Sequence, residues 1–185
     1  MKRSLVAAVC GFLFAHPLFA DSLDEYFAQV RGGEKVALER PDALATLNQA
    51  LGEAKGSAEM YLAQIKASIV APKFHGGWPY RSSLLYHDTK AVYDGIKDAY
   101  SKNNDAIYLY ATICPALALG KKQEADELRE QLKTKDPFLS RLVEANFELW
   151  KKSIPPLVEG RKKELEKMEK DKKAAEEKAK EGSKE

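Results

Sequence analysis

The sequence predicts an all-α protein made of stacked antiparallel helical hairpins, arranged as a repeat-like bundle or a short solenoid, with a charged C-terminal helix. Three observations lead to this prediction. Apolar residues recur at spacings of three and four almost everywhere after Asp21, which is the period of a helix face. Alternating runs of β-branched residues, typical of strands, are absent. Glycine, proline or paired asparagine interrupts the pattern at intervals of about one helix length.

The first twenty residues have the composition of a secretory signal peptide. Lys2 and Arg3 form a positive start, residues 5–15 are apolar, and Ala20 supplies a small residue before the expected cleavage site. The apolar stretch is too short to cross a bilayer. We therefore expect residues 1–20 to be removed on export, no integral membrane segment to remain after cleavage, and the protein to be periplasmic or extracellular.

The charge of the chain argues against a nucleic-acid partner. The formal net charge of +2 comes from Lys2 and Arg3, because the rest of the chain has 28 basic and 28 acidic residues. Binding to phosphates needs lysine and arginine clustered on one face. Cys114 is the one cysteine after residue 20, so no internal disulfide can form in the mature chain. Stability must then come from a buried core.

Three helices are predicted before a long irregular segment. The first begins at Ser22 and ends at the glycine pair 32–33. The second covers residues 41–54, and the third covers residues 57–71, where Pro72 stops it. Each has one apolar face. In order, these faces carry Leu23, Tyr26, Phe27 and Val30; Leu44, Leu47, Leu51 and Ala54; and Tyr61, Leu62, Ile65 and Ile69.

Four more helices are predicted after the irregular segment. The fourth ends at residues 103–104, and the fifth, residues 105–119, is apolar nearly all round, as expected of a helix buried among neighbours. Pro115 inside the fifth helix removes one backbone hydrogen bond and predicts a bend. The sixth, residues 123–135, has few apolar residues and should lie on the outside. The seventh begins at residues 136–137. The fourth helix should face inward with Leu85, Val92, Ile96 and Tyr100.

The proline pair 155–156 predicts the end of the seventh helix and of the domain. We expect residues 21–156 to form one α-helical domain. Residues 157–185 should form a charged helical tail, protruding or partly disordered, because from position 161 onward it has ten basic and eight acidic residues and cannot bury a core face. The tail is interpreted either as a solubilising segment or as a partner-binding arm or spacer.

Residues 106–138 contain the signals for a helical hairpin: an inner helix, a turn, an outer helix and the start of the next helix. An apolar helix ends at residues 119–120, residues 124–125 open an outer helix, and residues 136–137 close it. This segment resembles a tetratricopeptide-repeat unit, a family built from 34-residue helical hairpins. The resemblance implies a concave surface that binds a protein or peptide, since stacked hairpins leave a groove.

The irregular segment before the fourth helix supplies most of the candidate binding residues. Two glycines and a proline frame Trp78, Tyr80 and Arg81, and these residue types are over-represented at binding hot spots. Aromatic residues on such loops also fill gaps between hairpins, so packing is the alternative interpretation. The predicted partner-binding residues are Trp78, Tyr80, Arg81 and Tyr108.

The sequence contains no motif that specifies a reaction. It has no phosphate loop, dinucleotide fingerprint, haem-attachment motif or nucleophile elbow. His75 and His87 match no zinc spacing. Cys114 lies in an apolar helix, where a thiol normally behaves as a small buried hydrophobe. We therefore expect no catalytic residue, metal or cofactor; a hydrolase using Cys114 would need a histidine within hydrogen-bond reach.

The sequence thus predicts an exported, non-enzymatic helical-repeat-like protein that binds a protein or peptide partner in the cell envelope. The alternative is a helical pocket protein that binds a small apolar or aromatic ligand, with the loop around Trp78 as its lid.

Overall fold

The computed structural model describes residues 23–33, 49–50, 52–70 and 88–182, with side chains described up to residue 176. It confirms the all-α fold, since these residues contain seven helices and no strand. The helices are α1 (Leu23–Arg31), α2 (Ser57–Val70), α3 (Thr89–Asn103), α4 (Ala106–Ala118), α5 (Lys122–Lys135), α6 (Pro137–Glu144) and α7 (Phe147–Gly182).

The observed helices agree closely with the predicted ones where the two can be compared. Helices α1 to α5 fall on the first, third, fourth, fifth and sixth predicted helices, within two residues at every boundary that can be compared. Of the second predicted helix, residues 49–50 and 52–53 are helical, and most of the remainder lies outside the described residues. The irregular segment of residues 72–82 also lies outside them, as does Leu85.

Helix α4 is the centre of the fold. It contacts α2, α3, α5, α6 and α7, and every one of its residues except Tyr108 and Ala118 is buried. The prediction that this helix is surrounded by neighbours is confirmed. The helix continues through Pro115, whose missing amide leaves the carbonyl of Ala111 without its usual helical donor.

A tight turn joins α4 to α5 at Gly120, as the sequence predicts. Gly120 has a φ of 74°, a conformation that glycine adopts without steric cost. The amide of Lys121 donates to the carbonyl of Ala116 at 2.9 Å, and the amide of Gly120 donates to that of Leu117 at 3.1 Å, which is the hydrogen-bond pattern of a Schellman motif. Helix α5 then lies on the outside, with Ala125, Leu128 and Leu132 as its buried residues.

Arg31, at the end of α1, ties the N-terminal helix to the starts of two later helices. Asp105 caps α4 by accepting from the amide of Ile107, and Asp136 caps α6 by accepting from the amide of Leu139. The guanidinium of Arg31 lies 3.0 Å from Oδ1 of Asp105 and 2.5 Å from Oδ2 of Asp136. One cation therefore bridges two capping carboxylates.

The prediction that residues 155–156 end the seventh helix is wrong. The helical pattern from Pro137 instead breaks after Glu144, and α7 runs from Phe147 through both prolines to Gly182. Ile154, immediately before the prolines, is 1% exposed, and Val158, two residues after them, packs partly buried against the same core. Burial on both sides of the prolines favours the helix despite the two hydrogen bonds that they remove. Although α7 is the longest helix, no helix in the described part of the chain is apolar enough to cross a membrane.

Replacing either proline inside α7 with alanine is expected to stabilise the protein. Proline costs about 3 kcal/mol relative to alanine in a helix interior, so Pro155→Ala or Pro156→Ala should raise the free energy of unfolding by about 1–3 kcal/mol in urea titrations. Pro137→Ala is the matched control, because Pro137 occupies the first turn of α6, where no hydrogen bond is lost. Unchanged or lower stability in both α7 variants would show that the helix does not continue through these positions.

Candidate functional site

Three adjoining clefts surround α2, and we call them together the α2 groove. Cleft 1, of about 520 Å³, lies between α2 and α3. Cleft 2, of about 480 Å³, lies between α1, α2 and the start of α4. Cleft 3, of about 310 Å³, lies between α1, α2 and residues 50–54. The residues shared between two clefts are Asn103 and Tyr108 (clefts 1 and 2), Asp24 and Lys66 (clefts 2 and 3), and Glu59 and Leu62 (clefts 1 and 3).

Tyr108 is the one predicted site residue that the structure describes, and it lies where clefts 1 and 2 meet. It is half-buried in the first turn of α4. Its amide donates to the carbonyl of Asp105 at 3.1 Å, and its carbonyl accepts from Oγ1 of Thr112 at 2.7 Å. These bonds fix the backbone that carries the aromatic ring. Trp78, Tyr80 and Arg81 lie outside the described residues.

Cleft 2 carries two ion pairs and has a balanced charge. Nζ of Lys66 lies 2.5 Å from Oδ1 of Asp24, and Arg31 pairs with Asp105 on the other side. The side chain of Lys66 is 14% exposed, whereas that of Asp24 is 73% exposed. The cleft therefore presents hydrogen-bond donors at its floor and acceptors at its rim, without a net charge among these four side chains.

Cleft 1 has apolar residues on both walls, together with the exposed charged residues Lys55, Glu59, Asp98 and Lys102. Ala58 and Leu62 of α2 face Ala91, Gly95 and Ala99 of α3 across it. A Cβ added at Gly95 would lie 2.7 Å from Cβ of Ala58, closer than real Cβ atoms approach one another. Glycine thus allows the two helices to approach closely beneath the cleft.

The groove also contains residues that the sequence analysis did not single out, chiefly Arg31, Lys66 and Gly95. A signal for Gly95 was present, since Ala91 and Ala99 stand four residues to either side and place three small residues on one helix face. Arg31 and Lys66 carry no such signal. Their position in a cleft depends on the packing of α1 against α2, which no local pattern reveals.

A second polar cluster fastens α3 to α5. The Tyr93 hydroxyl donates to the Glu124 carboxylate at 2.5–2.6 Å, and Nζ of Lys97 lies 2.7 Å from Oε1 of Glu124. Burial alone would raise the pKa of Glu124, but the hydrogen bonds from Lys97 and Tyr93 and the charges of Lys97 and Lys121 outweigh it and lower that pKa. At the other end of α5, Lys135 donates to the Tyr100 hydroxyl at 2.9 Å. These contacts join two helices of the body.

Cys114 lies in the interior of α4 and has the environment of a structural thiol. It is 2% exposed. Burial raises the pKa of the Cys114 thiol far above its usual range, and a hydrogen bond with Tyr61 offsets only part of that rise, so the nucleophilic thiolate is disfavoured. His75 and His87 lie outside the described residues. Within the described ranges, no group of three or more His, Cys, Asp or Glu residues could hold a metal ion.

No family model, curated protein or solved structure matches this chain. Its function must therefore be inferred from its own residues and their arrangement.

Proposed function

We propose that the protein is an exported, non-enzymatic, helical-repeat-like protein that binds a protein or peptide partner in the cell envelope, and that the α2 groove is the binding surface. The observation that carries this proposal is the position of Tyr108, where cleft 1 meets the more polar cleft 2. Tyrosine is enriched at binding hot spots because its ring gives apolar contact while its hydroxyl can form hydrogen bonds.

The length of the groove suits a short stretch of polypeptide. Along α2 it extends from Ser57 to Lys66, which at 1.5 Å per residue is about 14 Å. An extended chain advances about 3.3 Å per residue, so about four residues of a partner would span it.

The polar groups of cleft 2 suit a peptide main chain better than a strongly charged ligand. Two cations and two anions line the cleft, so a polyanion gains little there by net attraction. The donors at the floor of cleft 2 and the acceptors at its rim match the carbonyl and amide groups of a peptide, each of which needs a partner when it leaves water. Cleft 1 would hold an apolar side chain of the same segment beside Tyr108.

Removing the Tyr108 ring is expected to weaken binding without unfolding the protein. Random-sequence peptides displayed on phage would be selected on the immobilised chain from Asp21 onward, and their dissociation constants measured by fluorescence anisotropy. We expect Tyr108→Ala to weaken binding of the selected peptides by about 30-fold, corresponding to about 2 kcal/mol for a hot-spot residue.

Tyr100→Ala is the matched control. Tyr100 is also half-buried, but it faces α5 and Lys135, away from the α2 groove, so its loss should leave peptide affinity within about twofold. Circular dichroism would confirm that both variants keep their helices. Equal weakening by both variants would place the site elsewhere. Selection of no peptide, together with a small apolar molecule that copurifies and depends on Tyr108, would favour the ligand-binding alternative.

A further inference from the structure

The second half of α7 extends beyond the body of the protein. The last apolar residue of this helix that packs against the core is Val158, Arg161 is the last described residue that is half-buried, and the helix continues to Gly182. Every side chain from Lys162 to Glu176 is exposed. We call residues 159–182 the arm. Because the arm has no core to rest on, its helix must be supported by contacts within itself or by another chain.

The arm contains the contacts that a self-supporting helix needs. The arm has Gly160 near its base and Gly182 at its end, but from Arg161 to Glu181 it has no glycine, proline or β-branched residue, so every position in that stretch has an acceptable helix propensity. Ion pairs link successive turns at the spacing that stabilises isolated helices. These pairs are Glu159–Lys163 at 3.6 Å, Arg161–Glu164 at 2.6 Å, Glu169–Lys173 at 2.8 Å and Lys172–Glu176 at 3.9 Å.

The arm is poorly suited to pair with a second copy of itself. Leu165 and Met168 continue the face that α7 buries through Ile154 and Val158, and they are 47% and 58% exposed. The flanking positions on this face are the cations Arg161 and Lys172. An antiparallel pair that sets Leu165 opposite Met168 would set Arg161 opposite Lys172, and a parallel pair would set each cation opposite its own copy. A coiled-coil seam needs apolar residues at these positions.

We propose that the arm is a monomeric, self-supporting helix that acts as a stiff spacer. At 1.5 Å per residue it places Gly182 about 36 Å beyond Val158. It holds the body, with the α2 groove, at a fixed distance from whatever contacts the far end of the helix. This inference rests on α7 alone and stands whether or not the groove binds a peptide.

The spacer proposal predicts two distances between pairs of spin labels, which double electron–electron resonance can measure. One label replaces Leu149, on the exposed side of α7 in the body, and the second replaces Lys163 or Lys170. All three positions share one helix face, since they are separated by multiples of two turns. In the chain from Asp21 onward, a continuous helix gives narrow distributions near about 21 Å and about 31 Å between backbones, and a difference of about 10 Å.

Three further variants distinguish a self-supporting spacer from a helix that needs a second chain to remain ordered. Leu165→Ala with Met168→Ala should leave both the distances and the monomeric sedimentation unchanged. Glu159→Lys, which breaks the pair with Lys163 inside the span from position 149 to position 170, should broaden the longer distance, and Glu159→Lys with Lys163→Glu should narrow it again. A broad distribution in the unmodified arm would overturn the proposal, as would a dimer at micromolar concentration that the two alanines dissociate.

Discussion

Phe147→Ala is expected to lower the free energy of unfolding by about 3–5 kcal/mol, the usual cost of truncating a buried phenylalanine. Phe147 begins α7 and is 1% exposed. The guanidinium carbon of Arg129 lies 4.9 Å from the centre of its ring, and Nζ of Lys151 lies 5.3 Å from it. Both cations are themselves paired with acidic residues, Glu144 and Asp126. Loss of the ring would leave a cavity and remove two cation–π contacts.

Urea titration measures this loss, and Leu149→Ala is its control. Leu149 lies two residues away on the same helix but is 46% exposed, so its truncation should change the unfolding free energy by no more than about 0.5 kcal/mol. Phe147→Leu keeps most of the apolar volume and should fall between the two. A loss below about 1 kcal/mol for Phe147→Ala would mean that α7 does not begin in the core.

Asp136→Ala is expected to cost about 3 kcal/mol, because it removes a helix cap and one partner of a buried ion pair together. The Asp136 side chain is 5% exposed and lies against Arg31, and its Oδ1 accepts from the amide of Leu139 at 2.9 Å. Loss of an N-cap costs about 1 kcal/mol. The rest of the expected loss comes from leaving the partly buried Arg31 with Asp105 as its remaining carboxylate partner.

Two variants separate these contributions in the same urea titrations. Asp136→Asn keeps an oxygen for the cap but loses the charge, so it should cost less than Asp136→Ala. Asp105→Ala also removes a cap and a contact of Arg31, but its side chain is 43% exposed, and we expect a loss of about 1 kcal/mol. If Asp105→Ala lowered the free energy of unfolding more than Asp136→Ala does, Asp136 would not be the main partner of Arg31.

Local sequence patterns predicted α1 to α5 and the turn at Gly120, because amphipathic period and glycine conformation are set by neighbouring residues. The path of α7 was not predictable in this way. The rule that proline ends a helix is local, whereas the burial of Ile154 and the partial burial of Val158 in the core depend on the packing of α7 against other helices, among them α4. Tertiary packing overrode the local preference here.

The candidate site was predicted only in part, for a related reason. Tyr108 was named from its residue type, and the structure places it in the α2 groove. In the sequence, nothing distinguishes Arg31 and Lys66 from other surface cations. They line the groove because α1, α2 and the start of α4 come together around cleft 2. Trp78, Tyr80 and Arg81 remain predictions, since they lie outside the described residues.

The central claim, that the α2 groove binds a polypeptide partner, is tested most directly by site-specific photocrosslinking in the cell envelope. A benzophenone amino acid would replace Tyr108 in the groove and, in a separate strain, Gln131, which is exposed on α5. The account predicts a discrete crosslinked polypeptide from position 108 that competes with the selected peptides, and none from position 131. Crosslinking from position 131 to the same polypeptide, or none from position 108, would contradict it.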